Sequence, residues 1–413
     1  MDRMLDSHEA ARRLGVKVTT LYAYVSRGLL ESHPAPGGRR SLFDGDDVER
    51  LARRSRQGKA VETRMATITT GITQLTDEGP LYRGRRATDL ATQSRFEEVA
   101  ELLWDAADHG PVDRSWAPVA VGDPPGFGSS DRMRWAAVMA GALDPLRADL
   151  RPEAVARTAR HLTATMVEVL PGPADRTAET APPEDPRESR LAGPLVEAGG
   201  PRGAGSIAER LAARLSPVPT ENLVRGVNAA LVLLADHELA TSTMAVRMAA
   251  STRADPYDAV LAGLGTIAGP LHGGASQLAY SLLVDARRLG VERALNDTLR
   301  WQGLLPGFGH TAYKDGDPRC TVLLGLFDEV ARAEDAELVG SLLELAAEHT
   351  IPRPNVDLGL AAMAWATGMP PDAGQVLFTV ARVAGWVAHY LEELEERPLR
   401  FRARAIYATA HRD

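Results

Sequence analysis

The sequence predicts a mainly α protein with more than one domain. Its 413 residues exceed the roughly 250–300 at which a single apolar core stops growing. Apolar side chains make up 44% and charged side chains 25% of the chain, the usual balance of a globular protein. From about residue 64 onward helical apolar periodicity dominates, and aromatic residues, at 5%, give few strand signals. A large, nearly all-helical body preceded by a smaller segment is therefore expected.

Charge is distributed unevenly between these two parts. Residues 1–60 contain 12 basic and 8 acidic side chains, a net charge of +4, which leaves −12 for the remainder. A basic N-terminal part on an acidic body suggests that the N-terminal part contacts a polyanion. The longest apolar run, 227–235, is about half of a bilayer span, the first residues show no apolar leader, and Cys320 is the single cysteine. We expect a cytoplasmic protein that has no membrane partner.

The N-terminal segment follows the order helix, turn, helix, hairpin. Asp6 and Glu9 form a capping-box pattern before a short helix. A second helix is predicted over 19–26, a turn at Gly37-Gly38, and an amphipathic helix over 46–56.

The motifs HEAARRLGVKVTTLYAYVSRGLL and GGRRSLFDGDDVERLA of this segment resemble the winged helix-turn-helix domain of the MerR and excisionase type. The resemblance, over residues 1–60, implies DNA as a partner, with the second helix in the major groove and the wing on phosphates. The DNA-binding candidates are Lys17, Thr19, Thr20, Tyr22, Arg39 and Arg40. A helical module that serves dimer contacts or regulation is the alternative.

Two histidines interrupt apolar or glycine-rich patterns in the C-terminal half. His237 interrupts the helical run LVLLADHELATSTM, where a buried imidazole costs free energy unless it is paired. A hydrogen-bonded core histidine is its alternative interpretation. His272 precedes a Gly-Gly pair that opens a helix predicted to end at Gly290. A helix N-terminus keeps an imidazole neutral, which suits hydrogen bonding to a carbonyl oxygen as it becomes an enol.

Two further blocks contribute a histidine, an arginine and an aspartate. In PGFGHTAYKDGDPRC, His310 follows a glycine-rich loop and Arg319 follows an Asp-Pro turn. Asp357 begins a helix in PRPNVDLGLAAMAWATG, a position that by itself is typical of an N-cap. The histidines lack the His-x-x-x-His spacing of a metal site, so we expect no metal.

The motifs GPLHGGA, GFGH…DPR and PNVD, in that order after ADHE, resemble the citrate synthase family. The likeness continues through VLFTVARVAGWVAHYLEE and covers about residues 64–413, apart from a Pro- and Gly-rich stretch at about 170–205 that we interpret as a flexible insertion. The resemblance implies a two-domain helical fold with a large domain over 64–270 and 361–413 and a small domain over 271–360. The active site would lie in the cleft between them, in a homodimer.

The resemblance also implies a role for each matching residue. Asp357 would be the base that takes a proton from acetyl-CoA, His272 the group that stabilises the enol, and His310 the acid on the oxaloacetate ketone. The residues that would bind oxaloacetate are His237, Arg319, Arg382 and, from the partner subunit, Arg402, for which Arg404 is the alternative. No cofactor is implied, because the acyl-CoA is a substrate.

The sequence departs from the family pattern in three places: at Ser276, at Thr311 and in the run 358–360. They border the acyl-CoA region and leave the choice of thioester open, since one methylene is worth only about 1–3 kcal/mol of discrimination. Citrate synthase is the favoured function and 2-methylcitrate synthase, using propionyl-CoA, its close rival. A DNA-binding regulator whose inactive synthase body senses metabolites is the alternative of another class.

Overall fold

The computed structural model describes residues 4–14, 16, 18, 21, 24–25, 30, 32–34, 41–49, 51, 68–106, 115–122, 124, 126–173, 175, 205–269 and 272–402. Its internal contacts divide the chain into a unit over residues 1–69 and a unit over residues 70–413.

The first unit combines a small sheet with helix α1 (Ser7–Leu14). Strands β1 (Met4–Asp6), β2 (His33–Pro34) and β3 (Ser41–Asp44) pair antiparallel in the order β1-β3-β2. Asp6 Oδ1 accepts hydrogen bonds from the backbone N–H groups of His8 and Glu9, at 2.9 and 2.8 Å, so the predicted helix start is confirmed. All six DNA-binding candidates and residues 35–40 between β2 and β3 lie outside the described residues.

The second unit opens with a hairpin that the helical periodicity did not predict. Strands β4 (Thr73–Thr76), β5 (Gly79–Tyr82) and β6 (Arg85–Arg86) pair antiparallel in sequence order. Tyr82, at its centre, is fully buried. These strands hold ten residues of the described body, so the expected nearly all-helical body is confirmed. Strands of two to four residues are too short to show a period.

Helices form the rest of the described body. They are α2 (Ala87–Gln93), α3 (Phe96–Leu103), α4 (Ser129–Leu143), α5 (Pro152–Glu168), α6 (Ile207–Leu215), α7 (Glu221–Leu234), α8 (Thr241–Ser251), α9 (Pro256–Ile267), α10 (Ala275–Leu289), α11 (Val291–Gln302), α12 (Pro318–Phe327), α13 (Ala333–Glu348), α14 (Val356–Ala366) and α15 (Ala373–Glu395). Gly290 ends α10 with a φ of 89°, as predicted from the sequence.

Helix α15 is the centre of the larger apolar core. It is buried around most of its circumference and packs against α5, α7, α8 and α9. A second apolar cluster is formed by α10, α11 and α13, and α14 contributes side chains to both clusters. The predicted domain boundaries at 270 and 361 stay a prediction, and most of the predicted insertion, residues 176–204, lies outside the described residues. Across the described ranges, every helix is too short or too polar to cross a membrane.

Candidate active site

His237 lies in a turn and not, as the apolar run suggested, inside a helix. Helix α7 ends at Leu234, and α8 begins only at Thr241. Glu238, directly after the histidine, has a φ of 57°, in the left-handed region that ends regular structure. The Tyr82 hydroxyl lies 3.1 Å from the Asp236 carbonyl oxygen and accepts a hydrogen bond from the Asp236 N–H at 3.3 Å. The β4–β5 hairpin therefore holds the turn that presents His237.

The His237 ring faces His310 and Tyr313. Its Nε2 lies 3.1 Å from the Tyr313 hydroxyl, and its ring centroid lies 5.3 Å from that of His310. Burial, followed by the nearby charges of Arg319 and Arg382, lowers the pKa of His237 well below its usual value. The imidazole is therefore neutral at neutral pH and is free of net charge when it meets an anion.

The loop that carries His310 is fixed to the start of α14. Gly307 has a φ of 81°, and a Cβ there would lie 2.9 Å from the Leu358 Cβ, so this approach requires glycine. The Asn355 N–H donates to the Gly307 carbonyl oxygen at 2.8 Å, and Asn355 Nδ2 donates to that of Gly309 at 2.7 Å. The His310 loop and the helix that carries Asp357 are thus joined by one asparagine.

The hydrogen bonds of His310 select one tautomer. The Ala312 N–H donates to His310 Nδ1 at 3.0 Å, so a neutral ring carries its hydrogen on Nε2. Burial, then the charge of Arg319, lowers the pKa of His310 and favours this neutral form. The ring stacks on Tyr313 with centroids 4.8 Å apart. His310 is therefore a preorganised N–H donor.

Arg319 is buried and paired with Asp317. Its Nε and Nη2 donate to the two carboxylate oxygens of Asp317, at 2.9 and 2.8 Å. Asp317 Oδ2 also accepts the Val356 N–H at 3.0 Å, at the first residue of α14. Burial would lower the pKa of Arg319, but Asp317 raises it and keeps the guanidinium charged. Asp317 therefore orients a cation of the site and the helix that carries Asp357.

Arg382 is a second buried cation, held without a carboxylate bond. Its Nε donates to the Leu234 carbonyl oxygen at 2.9 Å, and its Cζ lies 4.6 Å from the centroid of the Phe378 ring. Burial lowers the pKa of Arg382, although Asp236 and Tyr82 oppose that effect. Within the described ranges, no carboxylate accepts a hydrogen bond from this guanidinium. A bound anion would supply the partner that a buried charge needs.

Asp357 is the second residue of α14, and the cap of that helix is Asn355. Asn355 Oδ1 accepts the Asp357 N–H at 3.0 Å, so the N-cap interpretation of Asp357 is wrong and its carboxylate has no capping bond to make. Burial raises the pKa of Asp357 to about 6, against the lowering effect of Arg319. A carboxylate with a pKa near 6 is both ionised at neutral pH and basic enough to accept a proton.

His272 is oriented by Ser242 and Trp386. Its Nε2 lies 2.8 Å from Ser242 Oγ, and the Trp386 indole N–H donates to the same oxygen at 3.3 Å. Its ring meets Phe378 edge-on with centroids 6.0 Å apart, next to Arg382. Burial, then the charge of Arg382, lowers the pKa of His272. A third neutral imidazole therefore borders the buried arginines.

The structure gathers six of the predicted residues into one contiguous neighbourhood: His237, His272, His310, Arg319, Asp357 and Arg382. Arg402 is exposed at the end of the described chain, and Arg404 lies outside the described residues. No group of three or more His, Cys, Asp or Glu side chains among the described residues could hold a metal ion.

The sequence interpretation missed four residues that position this set: Ser242, Tyr313, Asp317 and Asn355. All four lie within quoted motifs: Ser242 stands five residues after His237, Tyr313 and Asp317 stand between His310 and Arg319, and Asn355 stands two residues before Asp357. Their polar side chains next to catalytic candidates were the available signal.

Asn355→Ala should reduce the activity proposed below for this site by more than its effect on stability explains. The variant loses the cap of α14 and the bond to Gly309, and a lost cap costs about 1 kcal/mol. The matched control is Ser206→Ala, which removes the cap of α6. We expect both variants to lower the free energy of unfolding comparably in urea titrations, and only Asn355→Ala to lower kcat, by at least tenfold. Equal kcat in both would contradict a positioning role for Asn355.

Comparison with known proteins identifies the family. Residues 133–404 match the family described as "Citrate synthase, C-terminal domain", and residues 4–56 match a helix-turn-helix domain family. The chain is 36% identical to a citrate synthase of Dictyostelium discoideum over 200 residues, 46% of this chain and 39% of that protein. It is 28% identical to citrate synthase 2 of Bacillus subtilis over 379 residues, 83% of this chain and 94% of that protein.

A 2-methylcitrate synthase of Corynebacterium glutamicum is also 28% identical, over 77% of this chain and 86% of its own length. Among solved structures, a ternary complex of citrate synthase from Thermoplasma acidophilum with carboxymethyl coenzyme A and oxaloacetate superposes with a TM-score of 0.61. The match has 23% identity and covers 85% of this chain and 96% of that chain, which shows a shared fold. The chain belongs to the citrate synthase family and carries a helix-turn-helix domain at its N-terminal end.

Proposed function

We propose that the chain condenses acetyl-CoA with oxaloacetate to give citrate and CoA. The observation that carries this proposal is a raised-pKa carboxylate, Asp357, beside two buried arginines and three imidazoles whose pKa values are lowered. The reaction needs a base for a carbon acid, a hydrogen-bond donor for each carbonyl oxygen and cations for a dianion. The site contains a residue of suitable type for each task.

Enol formation is assigned to Asp357 and His272. The Asp357 carboxylate takes a proton from the methyl carbon of the thioester, and electron density moves to the thioester oxygen. The Trp386 N–H donates to Ser242 Oγ. Among the described residues, His272 Nε2 is the acceptor that lies within reach of the Ser242 hydroxyl, so the hydroxyl donates to it. His272 would then carry its hydrogen on Nδ1, where it can donate to the enol oxygen.

Carbon bond formation is assigned to His310 and the arginines. The enol carbon attacks the ketone carbon of oxaloacetate, and His310 gives its Nε2 hydrogen to the oxygen that becomes the hydroxyl. Arg319 and Arg382 pair with the carboxylates, and His237 contributes a neutral hydrogen-bonding group. Water then cleaves the thioester of the citryl-CoA intermediate. A proton from this water returns to His310 Nε2, protonated Asp357 gives its proton to the departing sulfur, and the new carboxyl group loses its proton to solvent, which releases citrate and CoA as the thiol. In the Thermoplasma complex the ligands are a CoA derivative and oxaloacetate, in agreement with these substrate classes.

A homodimer in which Arg402 completes the partner's site is part of the proposal. Arg402 is exposed in its own chain. Large apolar side chains are also exposed on α4 and α8 and after α4, with Val138 at 50%, Leu143 at 53%, Leu146 at 54% and Met248 at 50% of their accessible area. A contact with a second chain would bury these side chains.

Two rivals are weighed against this proposal. The Corynebacterium relative supports 2-methylcitrate synthesis from propionyl-CoA, which the same side chains would catalyse. A sensor without turnover would need the arginines to bind its ligand, but it would not need a basic carboxylate. The pKa of Asp357, raised to about 6, therefore favours an enzyme over a sensor.

Thiol release from acetyl-CoA and propionyl-CoA with oxaloacetate tests the proposal, with wild type compared with Asp357→Asn. We expect kcat/KM to be about 10-fold or more higher for acetyl-CoA, the value of one methylene, and to fall at least 100-fold in the variant. A preference for propionyl-CoA would make the chain a 2-methylcitrate synthase. Absence of turnover with both thioesters would favour the sensor.

The pH dependence of the same assay tests the role of the base. Asp357 acts as the carboxylate, so kcat/KM for the thioester should decline tenfold per pH unit below about 6 and level off above it. Burial and the nearby arginine charges lower the pKa values of His272 and His310, so both rings are neutral at neutral pH, where the rate has levelled off. An acid limb near pH 4, the ordinary value of an aspartate, would contradict the proposed environment of Asp357.

We also propose that the helix-turn-helix domain binds DNA. The family match over residues 4–56 and the net charge of +4 on residues 1–60 support it. The residues proposed for the contacts are those named from the sequence: Lys17, Thr19, Thr20 and Tyr22 for bases, and Arg39 and Arg40 for phosphates.

Electrophoretic mobility shifts with the full chain and DNA from upstream of its own coding sequence test this function. We expect binding at micromolar protein that weakens as salt rises, and that is lost in an Arg39→Ala, Arg40→Ala double variant. The control is Arg12→Ala, a charge change on exposed α1. Absence of salt-sensitive binding at moderate salt would leave regulation or dimer contacts as the role of the domain.

A further inference from the structure

A buried polar chain extends from the His237 turn to the surface. It consists of Asp236, His389, Arg247, Glu393 and Arg400 in order of contact. Asp236, His389 and Glu393 have no exposed area, nor has Arg247. The catalytic roles proposed above do not use any of these side chains. Burying so many ionisable groups is costly, and such chains are retained where they fix a structure that apolar packing would leave loose.

The Asp236 carboxylate closes the His237 turn from inside. Its Oδ2 accepts the Glu238 N–H at 3.2 Å, on the far side of His237. The Ala235 carbonyl oxygen accepts the Gly385 N–H at 2.9 Å, and a Cβ on Gly385 would lie 2.2 Å from Asp236 Oδ1. Helix α15 therefore approaches the turn as closely as a glycine allows, and the position of His237 depends on where Asp236 is held.

His389 holds that carboxylate in a defined hydrogen-bonding state. Arg247 Nη1 lies 2.8 Å from His389 Nδ1, and because a guanidinium only donates, Nδ1 must accept. The ring hydrogen is then on Nε2, which lies 3.3 Å from Asp236 Oδ2 and donates to it. Arg247 thus sets the tautomer of His389, and His389 sets the orientation of Asp236.

Arg247 is itself fixed by carboxylates of α15. Its Nε donates to Glu393 at 2.9 Å and its Nη1 to Glu392 at 2.6 Å. Glu393 accepts two further hydrogen bonds from Arg400, at 2.7 and 2.6 Å. Each buried carboxylate along the chain of contacts therefore has a donor with a fixed direction.

We propose that His389 is a positioning residue for oxaloacetate binding, acting through Asp236 on the orientation of His237. This proposal rests on the proposed function, because it assigns the His237 turn to the oxaloacetate subsite. His389 does not touch the substrate. Its replacement should weaken oxaloacetate binding while the thioester subsite, formed by Asp357 on α14 and by His272, keeps its geometry.

Titration calorimetry with oxaloacetate on the full chain tests the proposal. His389→Phe removes the acceptor for Arg247 and the donor for Asp236, and we expect the Kd to rise about tenfold or more, the effect of at least one lost hydrogen bond. His389→Gln offers an amide donor and acceptor and should restore the Kd to within about threefold of wild type. The KM for the thioester at saturating oxaloacetate should change less than twofold in both.

Glu101→Gln is the matched control for stability. It weakens a partly buried pair, in which Arg160 donates to Glu101 at 2.6 and 2.7 Å and which is not part of the chain of contacts from Asp236 to Arg400. We expect a lower Tm and an unchanged oxaloacetate Kd. If His389→Phe does not fold, Arg247→Lys replaces it, since one ammonium cannot serve Glu392, Glu393 and His389 together, and the Kd should again rise.

The outcomes separate the two proposals. An unchanged Kd in folded His389→Phe or Arg247→Lys, or an equal rise in Glu101→Gln, would overturn the positioning role and leave the proposed function intact. Failure of the wild-type chain to bind oxaloacetate would overturn the proposed function, and the positioning role with it.

Discussion

Two guanidinium groups in the protein interior determine the organisation of the site. Arg319 and Arg382 have 2% and 1% of their surface exposed. One neutral aromatic ring lies against each guanidinium, Tyr313 against the first and Phe378 against the second. Removing a cation from water costs several kcal/mol unless a partner compensates. Asp317 compensates Arg319 but no carboxylate bonds to Arg382 among the described residues. The site is therefore electrostatically incomplete until an anion enters.

The same charges account for the state of the neighbouring titratable groups. They add to burial in lowering the pKa values of His237, His272 and His310, so the imidazoles are neutral hydrogen-bonding groups instead of additional cations. For Asp357, burial outweighs Arg319 and raises the pKa to about 6. One electrostatic environment thus produces neutral donors and a competent base side by side, which is the combination that carbon-acid chemistry needs.

The sequence predicted the helical body, the helix between the Gly-Gly pair and Gly290 and the capped start of α1, and it named six candidate residues that lie together in the structure. It did so because these features depend on local patterns such as helix-capping residues, glycines at helix ends and short motifs. The β4–β6 hairpin and the roles of Tyr82 and His389 escaped prediction, since Tyr82 meets Asp236 across 154 positions and His389 meets it across 153. The predicted helix around His237 is wrong because an apolar run does not reveal where a helix ends. The predicted N-cap at Asp357 is wrong because Asn355, two residues earlier, forms the cap.

The requirement for a dianion is tested most directly by comparing oxaloacetate with pyruvate in titration calorimetry of the wild-type chain. Pyruvate keeps the 2-oxo acid group but lacks the second carboxylate, so it can pair with only one of the two buried arginines. The loss of two hydrogen bonds to a charged group costs about 3 kcal/mol, which predicts pyruvate binding weaker by about 100-fold. Affinities within tenfold of each other would contradict the idea that the two buried arginines define the substrate.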